Sequence, residues 1–92
     1  MKDRQAGELF IKQVLGSFTV AYCSHASGTS LDALLIQHDI IAAGSDVPPS
    51  IMKAHQRAVQ SACEACDKKV PLPIARAALD KSLRLQLEDM LN

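Results

Sequence analysis

A chain of 92 residues is long enough for one domain and too short for two, and its core must be thin. Ten basic side chains cancel ten acidic ones, so the basic excess that is typical of nucleic-acid-binding proteins is absent. Three cysteines, an odd number, argue against the disulfide framework of a small secreted protein. Because the sequence shows no signal peptide and no apolar stretch long enough to cross a bilayer, we expect a cytoplasmic protein that does not associate with a membrane.

The first predicted helix covers residues 3–23. Apolar side chains recur every four residues from Phe10 to Tyr22, which is helical periodicity. The segment 14–23 also alternates in the manner of a β-strand and is rich in residues that favour strands. We prefer the helix because a strand needs a partner and no second convincing strand is evident in the sequence.

Turn and capping residues predict the bounds of the second helix. Gly28 can take a positive φ in a turn, and the Ser30 hydroxyl can accept a hydrogen bond from the first turn of a helix over residues 30–43. Gly44 then ends this helix as a C-terminal cap.

Proline links precede the third and fourth helices. Pro48 and Pro49 lead into a helix over residues 50–69, in which Ser50 is a candidate cap and either proline can occupy the start. A second proline-rich link precedes a helix over residues 73–91. Four amphipathic helices with short links predict an all-α, compact, four-helix bundle-like domain over residues 1–92.

The fourth helix carries leucines on more than one face. It is either a central helix surrounded by the other three or the seam of a homodimer, and we favour the dimer because aromatic residues are scarce and a small core gains from a second subunit. The residues predicted to mediate self-association are Leu79, Leu83, Leu85, Leu87, Met90 and Leu91.

One possible zinc site contains a Cys-x-x-Cys pair. Cys63 and Cys66 have the spacing at which two thiolates reach one ion, and Cys23 with His25 could complete four ligands. We prefer to interpret the cysteines as small apolar residues in a helix interface, and we expect no cofactor. His25, His38 and His55 lack a nucleophile and an orienting carboxylate at any known motif spacing, so we expect no enzyme.

A helix-turn-helix is the alternative function. The second and third helices have its outline, and Lys53, Gln56 and Arg57 would face DNA. The proline link lengthens the connection, and the neutral charge disfavours nucleic acid as a partner, so a plain helical hairpin is preferred.

The remaining interpretation is a non-enzymatic protein–protein interaction module. We expect a regulator that binds another protein, such as an adaptor, an inhibitor, or an antirepressor of a phage or mobile element. From Ile51 to Arg84 there are seven basic residues and three acidic ones. The basic residues that could bind an acidic partner protein are Lys53, Arg57, Lys68 and Lys69.

Overall fold

A computed structural model describes residues 2–44 and 46–92, apart from the side chains of residues 2 and 42. The all-α class predicted from the sequence is confirmed, because no β-strand occurs within those ranges. The chain forms a compact, bundle-like domain of four helices: α1 (Lys2–Ala26), α2 (Leu31–Ala43), α3 (Pro49–Asp67) and α4 (Leu72–Leu91).

The alternative β-strand over residues 14–23 is wrong. Val14 and Phe18 are buried, whereas Gly16 and Val20, which strand alternation would place on the same face, are exposed. A spacing of four residues therefore governs burial, as it does in a helix. α1 continues to Ala26, three residues beyond the predicted end.

Two helices end in the same hydrogen-bonded turn. After α1, Gly28 has a φ of 111°, and the Thr29 N–H donates to the Ser24 carbonyl at 3.0 Å. After α3, Lys69 has a φ of 60°, and the Val70 N–H donates to the Ala65 carbonyl at 2.9 Å. Both are Schellman motifs, in which a residue with positive φ lets the chain satisfy the last helical carbonyls. The positive φ predicted for Gly28 is confirmed.

The helix starts follow the sequence signals only in part. The predicted cap at Ser30 is confirmed, since its Oγ accepts a hydrogen bond from the Ala33 N–H at 3.1 Å. The predicted cap at Ser50 is wrong, because Pro48 occupies the N-cap position and Pro49 is the first residue of α3. Proline suits a first turn because the N–H that it lacks would have no partner inside the helix.

The helices follow the order α2, α3, α1, α4 across the domain, and α3 also contacts α4. α1 packs extensively against α3 and, on another face, against α4, while α2 packs against α3. The alternative in which α4 is the central helix is therefore wrong, since α1 and α3 lie between α2 and α4. The Cα atoms fill a slab of 41 × 32 × 14 Å. That thickness corresponds to about two layers of helices whose axes lie 8–10 Å apart, so each helix has one face that no other layer covers.

The core is built from small and aliphatic side chains, as the composition predicts. Phe18, Val14 and Val59 are its largest fully buried side chains. They belong to a cluster that joins α1, α2 and α3: Val14, Phe18, Ala21, Leu34, Ala58, Val59, Ala62 and Cys63. A second cluster, of Ile11, Leu15 and Leu87, joins α1 to α4.

Candidate functional site

The residues predicted for self-association on α4 divide into two groups. Leu87 is buried, and Leu79, Leu83 and Leu91 are half-buried against the chain's own core clusters. Leu85 and Met90 are exposed to 59% and 83%. Five residues apart on a helix, these two side chains point about 140° away from each other, so they do not form one stripe.

The predicted basic residues are also divided. Lys53 and Arg57 are exposed on α3. The Lys68 Nζ donates to Glu64 Oε1 at 2.7 Å, and Lys69 occupies the turn after α3. The Arg84 guanidinium contacts Glu8 on α1 at 2.8 Å. The contact between Arg84 and Glu8 of α1 therefore neutralises part of the basic excess of residues 51–84.

The four candidate zinc ligands do not come together. Cys23 is exposed, Cys63 is buried in the core, and burial raises the pKa of the Cys63 thiol. His25 is held by the Thr29 carbonyl and the Asp67 carboxylate, each at 2.8 Å. Within the described ranges no group of three or more His, Cys, Asp and Glu side chains could hold a metal ion.

The helix-turn-helix residues on α3 are not all available to DNA. The Gln56 Nε2 donates to Asp39 Oδ1 of α2 at 3.3 Å, so its amide joins the two helices. Lys53 and Arg57 remain exposed, which leaves a short basic face. A DNA-reading helix needs several side chains that reach base edges and phosphates.

An apolar groove opens between α1 and α2, with α3 as its floor. Its volume is about 530 Å³. Val20 of α1 and Ile41 of α2 line its two sides, and Met52 of α3 and Val47 of the preceding link also line it. We call it the α1–α2 groove. None of the residues that line it is Asp, Glu, Lys or Arg, so a ligand in it would meet no carboxylate, ammonium or guanidinium group.

A small polar cluster lines the groove, with one residue from each of the three helices. Ser17 Oγ and His55 Nδ1 share a hydrogen bond of 2.7 Å, and the His38 ring lies 5.9 Å from the His55 ring, centroid to centroid. Burial, and to a smaller extent His38, lowers the pKa of His55. A neutral His55 therefore fits this floor.

A hydroxyl and an imidazole at this distance resemble the nucleophile and base of acyl transfer. Ser17 lies in the middle of α1, where the backbone N–H groups already bond within the helix and cannot stabilise an oxyanion. Among the described contacts of His55, no carboxylate orients its ring. The cluster satisfies half-buried polar groups and lacks the other parts of a hydrolytic site.

Exposed apolar residues concentrate around the groove. Of the nine exposed large apolar side chains in the described part of the chain, five lie on α2, beside it on α1, or on the link that follows it; the other four are spread over α1 and α4. The five are Val20, Ile36, Ile40, Ile41 and Val47. Sequence reasoning placed the surplus apolar surface on α4 and missed this patch.

The signal for the patch was present in α2. Its apolar residues Leu31, Leu34 and Leu35 pack inward, but Ile36 and Ile40 lie on the opposite face. A helix that is apolar all round is normally buried on all sides. α2 packs chiefly against one neighbour, α3, which leaves its opposite face without a covering helix.

No protein-family model, curated protein or solved structure matched the chain in three separate comparisons. Among the described helices, none combines the length and the apolar character needed to cross a membrane.

Proposed function

We propose that this protein is a small, non-enzymatic protein–protein interaction module that docks an apolar helical segment in the α1–α2 groove. Such a module can act as a regulator, whether as an adaptor, an inhibitor or an antirepressor. The observation that carries the proposal is an apolar groove, free of carboxylate, ammonium and guanidinium groups, whose walls, Val20 and Ile41, are exposed to 65% and 68%. Free cysteines support a reducing, cytoplasmic setting.

The dimensions of the groove suit a helix. A volume of about 530 Å³ lies within the range of about 300–1,000 Å³ that binding clefts occupy. Helix-in-groove recognition uses a few apolar anchors spaced at i, i+3 or i+4, and i+7. Gln13, Gly16 and Val20 line the α1 wall at this spacing, so the wall itself runs along one face of a helix. A guest helix that lies beside α1 could therefore pack its own row of anchors, at the same spacing, along these residues.

The polar cluster gives such a site orientation as well as affinity. The imidazoles of His38 and His55 lie among apolar walls, and ordinary binding sites combine apolar lining with a few placed polar groups. A hydroxyl, amide or backbone carbonyl on the guest could meet them. An apolar guest with one polar group near its centre is therefore the expected partner chemistry.

The test compares two substitutions on the same helix. Val20→Asp places a charge in the groove wall, whereas Leu9→Asp places one at an exposed apolar position of α1 that lies outside the groove. Both are surface changes and should alter the free energy of unfolding by about 0.5 kcal/mol or less. We expect affinity capture from the source cell to recover a protein with the wild type and with Leu9→Asp, but not with Val20→Asp.

The proposal fails if capture recovers no specific protein, or if Val20→Asp recovers the same protein as the wild type. Circular dichroism of both variants serves as the folding control, because a lost fold would also lose a partner. A protein that is recovered equally by all three forms binds elsewhere on the surface, and the groove would then have no part in its recognition.

A further inference from the structure

We infer that the occupant of the α1–α2 groove is α2 of a second copy of this chain, in a two-fold symmetric dimer. The exposed pair Ile36 and Ile40, which we call the α2 ridge, would lie in the partner's groove. The inference rests on the proposed function, because both assign helix docking to the same groove. It also places self-association on α2, whereas the sequence predicted it on α4; these two helices are at opposite ends of the helix order.

The patch is self-complementary in shape. Helical periodicity places Ile36 and Ile40 one turn apart, on a face next to that of Gln37 and Ile41, which line the groove. One surface therefore carries a ridge and an adjoining groove. A two-fold axis that lies beside α2, between the two copies, puts each ridge into the other copy's groove, which is the isologous contact that closed dimers use.

The accessible surface of the chain exceeds that of a compact monomer by about the area that one such interface buries. The described chain of 9.9 kDa has an accessible surface of 6292 Å². A compact monomer of that mass exposes about 5,200 Å². The surplus, about 1,100 Å², slightly exceeds the roughly 800 Å² that each partner buries in a stable standard interface. The monomer thus has enough excess surface to form one interface of ordinary size.

The distribution of charge favours a second copy as the occupant. In a two-fold interface a residue near the axis meets its own copy, so a charged residue there would face a like charge. The groove lining contains no Asp, Glu, Lys or Arg. Asp39 of α2 lies away from the groove, where it accepts a hydrogen bond from Gln56 of α3.

Gly16 gives an independent indication of a close neighbour. A glycine inside a helix destabilises it by about 1 kcal/mol relative to alanine. Apart from the backbone of its own helix, no described part of the chain lies within 4 Å of the position that a Cβ of Gly16 would occupy, so no tertiary contact there requires glycine. Gly16 lines the groove, and the lack of a side chain there lets another backbone approach α1 closely.

Sedimentation equilibrium on the full chain tests this dimer, over loading concentrations from about 1 μM to 1 mM. We expect the wild type to dimerise in that range. Ile40→Asp should weaken the association by at least about 100-fold, because the dimer would bury two unpaired carboxylates. Met90→Asp, at an α4 position exposed to 83%, is the matched control and should dimerise like the wild type. Both variants change exposed side chains, and circular dichroism melting checks that each is folded.

The inference is overturned if the wild type is monomeric throughout, or if Met90→Asp dissociates the dimer and Ile40→Asp does not. The outcomes separate it from the proposed function, since Ile40 does not line the groove. If the wild type is monomeric and captures another protein, and if Ile40→Asp keeps that protein while Val20→Asp loses it, the dimer is rejected and the proposed function stands. If the wild type is a dimer that Ile40→Asp dissociates, and no other protein is captured, the dimer stands and binding of a different protein is rejected.

Discussion

Gly7 of α1 lies directly against the side chain of Leu87 of α4. A Cβ at Gly7 would overlap the Leu87 methyl groups, so α1 and α4 approach each other as closely as they do because this residue has no side chain. Leu87 in turn is one of the three buried residues of the cluster that joins these helices. Gly7 therefore leaves the room that the Leu87 side chain occupies between α1 and α4.

Two glycines in the same helix should respond to alanine in opposite ways. Gly16→Ala meets no internal neighbour and should raise the free energy of unfolding by about 0.5–1 kcal/mol, as expected from helix propensity. Gly7→Ala should lose this gain and destabilise the protein by about 1–2 kcal/mol, because Leu87 must move. Urea denaturation at low protein concentration measures both.

The control for this pair is the Leu87→Ala background, which removes the clashing methyl groups. There Gly7→Ala should become neutral or stabilising, so a double-mutant cycle should give a coupling above about 1 kcal/mol. Additive effects of Gly7→Ala and Leu87→Ala would contradict the packing described for α1 and α4.

Lys69 is a residue with a side chain in a conformation that suits glycine. Its φ of 60° lies in the left-handed region, where a Cβ costs about 1 kcal/mol. Lys69→Gly should therefore raise the free energy of unfolding by about 0.5–1 kcal/mol. The neighbouring Lys68, with a φ of −81°, is the matched control, and Lys68→Gly should not stabilise the protein. Thermal and urea denaturation would measure both, and equal effects would argue against the turn described here.

His25 should stabilise the fold most when it is protonated. Its Nδ1 and Nε2 face the Thr29 carbonyl and the Asp67 carboxylate, and only imidazolium has an N–H for each. The hydrogen bond to Thr29, followed by that to Asp67, raises the pKa of His25 above its ordinary value of about 6.5. The contribution of His25 to the free energy of unfolding is therefore complete below about pH 6.5, and it is lost as the pH rises through the raised pKa. Urea denaturation across this range should show a smaller decline for His25→Gln.

The same experiment has an internal control in Asp67→Asn, which removes the negative charge that faces Nε2. That variant should keep part of the decline because the Thr29 carbonyl still accepts from Nδ1. An identical pH dependence for the wild type and His25→Gln would show that this histidine does not titrate with folding.

His55 should have the opposite dependence on pH. Burial, followed by His38, lowers its pKa, so the unfolded chain takes up a proton at about pH 6.5 while the folded chain does not. The free energy of unfolding should therefore fall as the pH drops below about 6.5, toward the lowered pKa. His55→Gln should flatten this acid limb and His38→Gln should reduce it less. An acid limb unchanged in His55→Gln would assign the decline to other groups.

Helix ends could be predicted from the sequence where a single residue type is enough to form the cap or the turn. Ser30 caps α2 because a hydroxyl at that place reaches the first turn, and Gly28 ends α1 because glycine tolerates a positive φ. Ser50 failed for a local reason as well, since α3 already begins one residue earlier, with Pro48 at the N-cap position and Pro49 as its first residue.

The burial of α4 and the exposure of α2 could not be predicted in the same way. Periodicity indicates which face of a helix is apolar but not which neighbour covers it. Leu87 is covered because Gly7, 80 positions earlier in the chain, leaves room for it. Ile36 and Ile40 are uncovered because α2 lies at the end of the helix order. Both facts depend on tertiary packing, and the apolar groove arises from the same placement of α2.

The position of α2 at the edge of the slab has a consequence for its local stability. A helix supported chiefly by α3 can open without separating α1 from α3 or α4, so its amide hydrogens should exchange with solvent sooner than those of α1. Any helix that enters the groove would lie against α2 and slow that exchange. The protection of a short, edge-placed helix would then report, residue by residue, when the groove is occupied.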